Sequence, residues 1–336
     1  MVPILEVRGL RKSFGTGLLQ KGRSVRALAG VDLTVEQGNT VGLVGESSCG
    51  KTTLARCALL LLMPDAGSVF FDGCDLLRLS PAELRARRRE FQMVFQDPFG
   101  SLDPRMRVRE ILAEPFEVHR LSGGPSREER ALELLDEVAL DRSLADRRPA
   151  ELSGGQQQRV AIARALALKP RLLVADELVS ALDASVRAQI LNLLGDLRQR
   201  LGLTLILISH SLPTVQYLCT RVAVMYLGRI VEEAPAAEFF RGPMHPYSQA
   251  LLESIPVLNP EQGSKKPVLV GDVPSPAAPP PGCPFHPRCP KVFARCREER
   301  PALRLSQTGK AACFLYTEDR ELSYKCDKSL EGGFHG

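Results

Sequence analysis

The stretch "GESSCGKTT", residues 45 to 53, decides how this chain is read. It places Gly45, Glu46, Ser47, Ser48, Cys49 and Gly50 ahead of Lys51, Thr52 and Thr53. Upstream, Val41, Leu43 and Val44 read as a buried strand. Downstream, Leu54, Ala55, Ala58, Leu59 and Leu62 read as a helix with one apolar face. A tight turn of small residues between them fits the phosphate-loop pattern G-x4-G-K-[ST]. In such a turn, backbone N–H groups and the helix N-terminus converge on phosphates. Lys51 adds charge at the β- and γ-phosphates, and the Thr52 hydroxyl ligates Mg²⁺. The flanking strand and helix argue against an ordinary glycine turn carrying an exposed lysine.

Further along, "RLLVADE" presents Leu172, Leu173 and Val174 as a buried strand ending in Asp176 and Glu177. Carboxylates at the C-terminal end of a parallel strand lie where such sheets bind ligands. Asp176 is placed to hold Mg²⁺ through water, and Glu177 to polarise a water attacking the γ-phosphate. Lys51 and Asp176 are 125 positions apart, more than one crossover connection needs, so an inserted subdomain is expected between them. That insertion carries "LSGGQQQRVAIARAL", residues 152 to 166. Ser153 is a good N-cap, Gly154 and Gly155 leave the helix start bare, and Val160, Ala163 and Leu166 mark a packed face. Alone it reads as a capped helix. Beside the Lys51 loop it is a second anion cradle, and two cradles make sense if a second subunit closes each site.

The 336 residues suffice for two domains, and a composition of 44% hydrophobic and 25% charged residues is that of a soluble globular protein. The longest apolar run, Cys57 to Met63, is too short for a membrane span, and the N-terminus lacks the pattern of a signal peptide. The chain is expected to stay in the cytoplasm, with other chains supplying any membrane spans. Net charge +5 makes no case for nucleic acid, and Arg85, Arg87, Arg88 and Arg89 read as a solvated helix face. Residues 1 to about 240 alternate β-rich and helical patterns, an α/β domain with a mainly parallel sheet. A boundary is expected near 240. Beyond it the proline-rich "VPSPAAPPPGCPFHP" (273 to 287) excludes regular helix, and Ser329 to Gly336 read as a disordered tail.

Nine cysteines in such a chain do not suggest a disulfide framework. Five are scattered. Cys283, Cys289, Cys296 and Cys313, spaced C-x5-C-x6-C-x16-C, do not match the C-x2-C pairs of common zinc folds. Four thiolates around proline-fixed turns can still hold zinc or an iron–sulfur cluster, and plain reduced cysteines are the third reading. His245 and His286 read as loop residues rather than ligands.

Taken together, these pieces resemble the ATP-binding subunits of ATP-binding cassette (ABC) transporters over about residues 4 to 260. Leu152-Ser153-Gly154-Gly155-Gln156 resembles their signature motif. The resemblance implies a P-loop NTPase (RecA-like) α/β fold, with a helical subdomain over about 97–166 and a cysteine-containing extension over 241–336. It makes Gln96 in "MVFQDP" the Q-loop glutamine near Mg²⁺, and Ser180 to Asp183 the D-loop. It makes His210 the switch histidine and Phe14 the aromatic that stacks on adenine. "VFQDPFGSLDPRMRVREIL", "SALDASVRAQILNLL", "RVAVMYLGRIVE" and "HPYSQALLESIP" are similar to the oligopeptide and dipeptide importer ATPases, with nickel importers as a related branch. Members of this branch often end in a similar cysteine-rich segment, and some resemble [4Fe-4S] proteins there.

The resemblance implies ATP and Mg²⁺ as ligands, a second ATPase subunit, two permeases and an extracytoplasmic substrate-binding protein. It places the chain peripherally on the cytoplasmic face of the inner membrane, with no nucleic-acid partner. A soluble ABC ATPase of translation or DNA repair, or a scaffold that binds ATP without turning it over, are the competing readings. Four departures bear on them. Ser48 stands where a third loop glycine is usual, costly only if the backbone there is left-handed. Leu178 replaces a proline, Ser211 an acid, and Thr220 an aspartate. None removes an assigned chemical group, although Leu178 and Ser211 would loosen the surroundings of Glu177 and His210.

Overall fold

The structure, a computed structural model, describes residues 2–15, 24–121, 125–180, 182–255, 271–306 and 308–316. β1 (Leu5–Gly15) and β2 (Ser24–Val35) form an antiparallel pair, which β4 (Ala66–Phe71) and the short β5 (Cys74–Asp75) extend in the order β2-β1-β4-β5. The second sheet includes five parallel strands. These are β3 (Thr40–Val44), β6 (Phe91–Val94), β7 (Leu172–Asp176), β8 (Thr204–Ile208) and β9 (Arg221–Tyr226), in the order β9-β3-β8-β7-β6. Residues along β7 and β8 alternate between two cores. Leu172, Val174, Ile206 and Ile208 pack toward the antiparallel sheet, and Leu173, Ala175, Leu205 and Leu207 toward the helical side. Both faces are covered, which is why these strands read as unbroken apolar runs.

α1 (Lys51–Ala58) lies between the two sheets and is shorter than its apolar spacing suggests. The chain leaves the helix through Leu60, whose φ of 48° is left-handed. The Leu61 N–H donates to the Arg56 carbonyl and the Leu60 N–H to that of Cys57, a Schellman ending that places Leu62 beyond the helix. α2 (Pro81–Arg87) corrects the solvated-face reading of the arginines after Ser80. Arg85 donates to the Val118 carbonyl, Arg88 to Leu60, Arg89 to His119, and Arg87 pairs with Glu90. Arg85 and Arg89 thus tie this segment to the end of the helix over residues 108–118.

That layer comprises α3 (Pro98–Ser101), α4 (Val108–Val118), α5 (Arg127–Glu137) and α6 (Gly154–Leu166). α7 (Ala184–Leu201) and α8 (Leu212–Leu218) return the chain to β8 and β9.

The end of the chain packs into the same body. β10 (Arg229–Pro235) runs antiparallel to β9, and the short β11 (Arg304–Leu305) and β12 (Lys310–Ala311) add to its far edge, with Ala311 opposite Glu232. The boundary read near 240 therefore falls within α9 (Ala236–Arg241), just before α10 (Pro246–Glu253). Phe285 is fully buried, its ring centre 5.4 Å from both Tyr226 and Tyr247. α11 (Ala294–Glu298) carries Cys296 within the cysteine-bearing segment. Cys326 and the tail from Ser329 to Gly336 lie outside the described residues. Among the described residues no helix is long and apolar enough to cross a membrane.

Candidate active site

The turn from β3 into α1 is shaped by two glycines. A Cβ at Gly45 would stand 2.3 Å from the Met225 carbonyl oxygen, and one at Gly50 2.3 Å from that of Ala27. Both residues also have positive φ, so close approach and conformation exclude a side chain together. Gly50 caps α1 without a side-chain bond, leaving its first N–H groups for a ligand. Ser48 has φ 65°, so the left-handed condition that makes a non-glycine residue costly here is met. Lys51 is buried. Its Nζ donates to the carbonyls of Gly45 and Glu46 at 2.8 and 2.9 Å and lies 3.7 Å from the Cys49 sulfur.

Thr52, in the first turn of α1, donates its hydroxyl to Asp176 Oδ1 at 3.1 Å, which joins the phosphate loop to the end of β7. Asp176 is 1% exposed, and burial raises its pKa above the usual carboxylate value. No lysine or arginine lies within ion-pair distance of it among the described residues. A buried carboxylate with a hydroxyl partner and no cation is a donor set that fits Mg²⁺.

Glu177 is held in a left-handed conformation, φ 45°, by its N–H donating to Ile208 and its carbonyl accepting from the Ser180 N–H and hydroxyl. Strain of this kind collects at functional positions. Its Oε2 accepts from Gln96 Nε2 at 2.8 Å and stands 3.7 Å from His210 Nδ1. Three side chains, from the ends of β6, β7 and β8, thus meet at one carboxylate oxygen. The departures do not unpick this. Leu178 is buried, the Ser211 N–H donates to Ser209 Oγ, and Thr220 is bonded in both directions to the Thr40 backbone.

Other expected site residues make their hydrogen bonds elsewhere. Ser153 accepts from the Gln156 N–H and Gln156 Oε1 from the Ser153 N–H, a complete capping box at the start of α6. A Cβ at Gly155 would meet Val186 at 2.5 Å, so this glycine lets α6 and α7 approach. Among the described residues no hydrogen bond joins Ser153, Gly154, Gly155 or Gln156 to the Lys51 loop or to Glu177. Asp183 caps α7 by accepting from the Ser185 and Val186 N–H groups. Phe14, near the end of β1, is 43% exposed, and Lys12 Nζ is 5.9 Å from its ring centre.

The ABC transporter family model matches residues 28–180, and that of the oligopeptide/dipeptide transporter C-terminal region matches residues 231–296. The dipeptide transport ATP-binding protein DppF of Escherichia coli K12 is 44% identical over 319 residues, covering 94% of this chain and 96% of its own. The chain belongs to the ATP-binding subunits of oligopeptide and dipeptide ABC importers. Among solved structures, the dimeric post-hydrolysis ATP-binding cassette MJ0796 bound to ADP and Pi is 30% identical with TM-score 0.62, covering 69% of this chain and 98% of that one. CbiO1 of Clostridium perfringens, part of an ABC transporter complex, is 27% identical with TM-score 0.63, covering 72% and 92%. This importer subunit is an ATPase whose hydrolysis is coupled to transport.

Two residues that contact the importer's phosphate loop went unnoticed in the sequence. The Glu46 N–H donates to the Tyr247 hydroxyl at 2.8 Å, and the Glu46 carboxylate receives both terminal nitrogens of Arg288 at 2.7 and 3.0 Å. The Glu46 side chain faces the extension, while its carbonyl stays in the phosphate loop against Lys51. The segment "HPYSQALLESIP" marked the branch, and no local signal tied it to the phosphate loop. His245 is buried and accepts the Tyr247 N–H to cap α10, so it is a core residue. Cys283, Cys289, Cys296 and Cys313 line one small cavity with Phe285, and burial pushes the Cys283 and Cys313 thiols up to about 11 and 12. No group of three or more His, Cys, Asp or Glu among the described residues is set to hold a metal ion.

Proposed function

We propose that this subunit pairs with a second ATP-binding subunit so that each nucleotide lies between the Lys51 loop of one and the Ser153 helix of the other. The observation that carries this is that the capped α6 N-terminus makes no hydrogen bond, among the described residues, to the Lys51–Asp176–Glu177 group of its own chain. Each is a built half-site, and the MJ0796 cassette, similar over 98% of its length, is a dimer in its post-hydrolysis state. In this reading Lys51 leaves the Gly45 and Glu46 carbonyls for the β- and γ-phosphates, and Phe14 stacks on adenine. Glu177, oriented by Gln96, accepts a proton from the attacking water as its oxygen bonds to the γ-phosphorus and the bond to ADP breaks. His210 donates a hydrogen bond toward the γ-phosphate. Thr52, Asp176 and Gln96 would hold Mg²⁺, which supplies charge neutralisation at the phosphates.

Closure of the pair on ATP and its release after hydrolysis form a two-state switch biased by nucleotide contacts. The switch would drive two permeases, with an extracytoplasmic binding protein delivering the peptide and this subunit on the cytoplasmic face of the inner membrane. An open groove of about 590 Å³, lined by Leu102, Asp103, Met106, Ile111 and Glu114, supports a permease contact around Gln96 to Arg107. The test is hydrolysis against subunit concentration in the reconstituted transporter. Turnover per chain should rise as subunits assemble and fall with Ser153→Arg. Full-speed hydrolysis by a monomer indifferent to Ser153→Arg would overturn the shared site.

A [4Fe-4S] cluster or zinc at the four cysteines is supported by their common cavity alone. Among the described residues they do not have metal-holding geometry. Iron, sulfide and zinc analysis of anaerobically purified protein decides between cluster, zinc and reduced thiols.

A further inference from the structure

Glu46 is the second residue of the phosphate loop, and all of its polar groups are engaged from within the fold. Its carbonyl accepts from Lys51, its N–H donates to Tyr247, and its carboxylate takes the two-pronged contact of Arg288. The last two partners lie 201 and 242 positions further along the chain, both in the C-terminal extension. Arg288 is 8% exposed, and its Nε has no partner among the described residues. An apolar side chain would fill that space without the cost of burying a guanidinium, so the fork to Glu46 is what the arginine supplies. The guanidinium also reaches the Tyr226 hydroxyl at 3.5 Å, at the end of β9 next to the loop. On the other side, Arg288 ends the short turn that begins at His286, between Cys283 and Cys289.

We propose that Arg288 is a positioning residue of the nucleotide site, holding the phosphate loop through Glu46 in the form that receives ATP. The extension is then part of the ATP site's scaffold. A loop held from behind meets the phosphates with its N–H groups already aimed, and a loop released must be ordered by the nucleotide itself. The loss on removing the fork therefore appears in affinity, with chemistry at saturation preserved. The proposal rests on this loop being the ATP site, which ATP binding by the unmodified protein tests separately.

The experiment measures binding of a fluorescent ATP analogue, steady-state hydrolysis and thermal melting in the reconstituted transporter. Its variants are Arg288→Gln, Arg288→Lys, Glu46→Gln and the Arg288→Gln/Glu46→Gln pair. Arg288→Gln should weaken ATP binding and raise KM about tenfold while kcat stays within about twofold. Glu46→Gln should do the same, and the double variant should be no worse than either single one. Arg288→Lys, a point charge without the fork, should recover part of the affinity. If Arg288→Gln does not fold, Glu46→Gln, whose side chain is partly exposed, decides alone. Unchanged ATP affinity in a fully folded Glu46→Gln, or additive losses in the pair, would overturn the proposal. Failure of the unmodified protein to bind ATP would overturn the site itself.

Discussion

At the scale of single residues, Ser48 and Glu177 share a left-handed backbone that glycine would adopt more readily. For Ser48 that conformation costs roughly 1–2 kcal/mol, against about 0.5–1 kcal/mol that glycine costs through the unfolded chain. Ser48→Gly should therefore stabilise the protein by about 0.5–1 kcal/mol, read as a higher urea midpoint at unchanged m-value. Glu177 keeps its strain for a different reason: Ile208 and Ser180 hold the backbone so that its carboxylate meets Gln96 and His210. Glu177→Gln should lower ATP turnover by about 100-fold or more while ATP remains bound, measured by phosphate release and nucleotide retention. Turnover equal to the parent would remove Glu177 from the chemistry. Ser48 shows how far a motif reads: the pattern marks the position, and the backbone angle sets the consequence of a serine there.

At the scale of elements, helix starts were easier to read than helix ends. Ser153 was legible as an N-cap because the capping box is local, closed over three residues by Gln156. The end of α1 was not legible, since Leu59 to Leu62 continue the apolar spacing while the backbone turns out through Leu60. The start of α10 carries a titratable cap. Burial drops the pKa of His245 from 6.5 to about 3, so the folded chain keeps it neutral while the unfolded chain protonates. Its stabilising effect is present above pH 6.5 and lost as pH falls toward 3, at up to roughly 1.4 kcal/mol per pH unit. Glu232, which accepts the His245 N–H and whose carboxyl burial raises above 4.5, acts in the opposite sense on acidification. His245→Asn keeps a capping acceptor and removes the titration. Its unfolding free energy should fall less between pH 6.5 and 5 than the parent's, followed by denaturant titration at each pH. Parallel curves would show that His245 does not carry the acid sensitivity.

For the whole molecule, the proline-rich text after residue 240 suggested an appended piece, and the packing makes it part of the main body. Phe285 stands between Tyr226 of β9 and Tyr247 of α10, and β12 extends the central sheet. Calorimetry should therefore show one unfolding transition covering cassette and extension, and Phe285→Ala should cost about 3–5 kcal/mol of it. Two separate transitions, with Phe285→Ala shifting only one, would make the extension independent.

The phosphate loop, the acids ending β7 and the capped signature helix are legible in the chain alone. Each is written in neighbouring residues whose backbone pattern is local: a strand, a turn, a helix start. Only the tertiary structure decided that Gln96, Glu177 and His210 meet at one oxygen, that four cysteines share a cavity, and that Arg288 and Tyr247 grip Glu46. Gln96 and Glu177 are 81 positions apart, and Glu46 lies 201 and 242 positions from Tyr247 and Arg288. The side chains are brought together by strand order and by burial of a shared core, and neither leaves a period or spacing in the chain for such a pairing to be read.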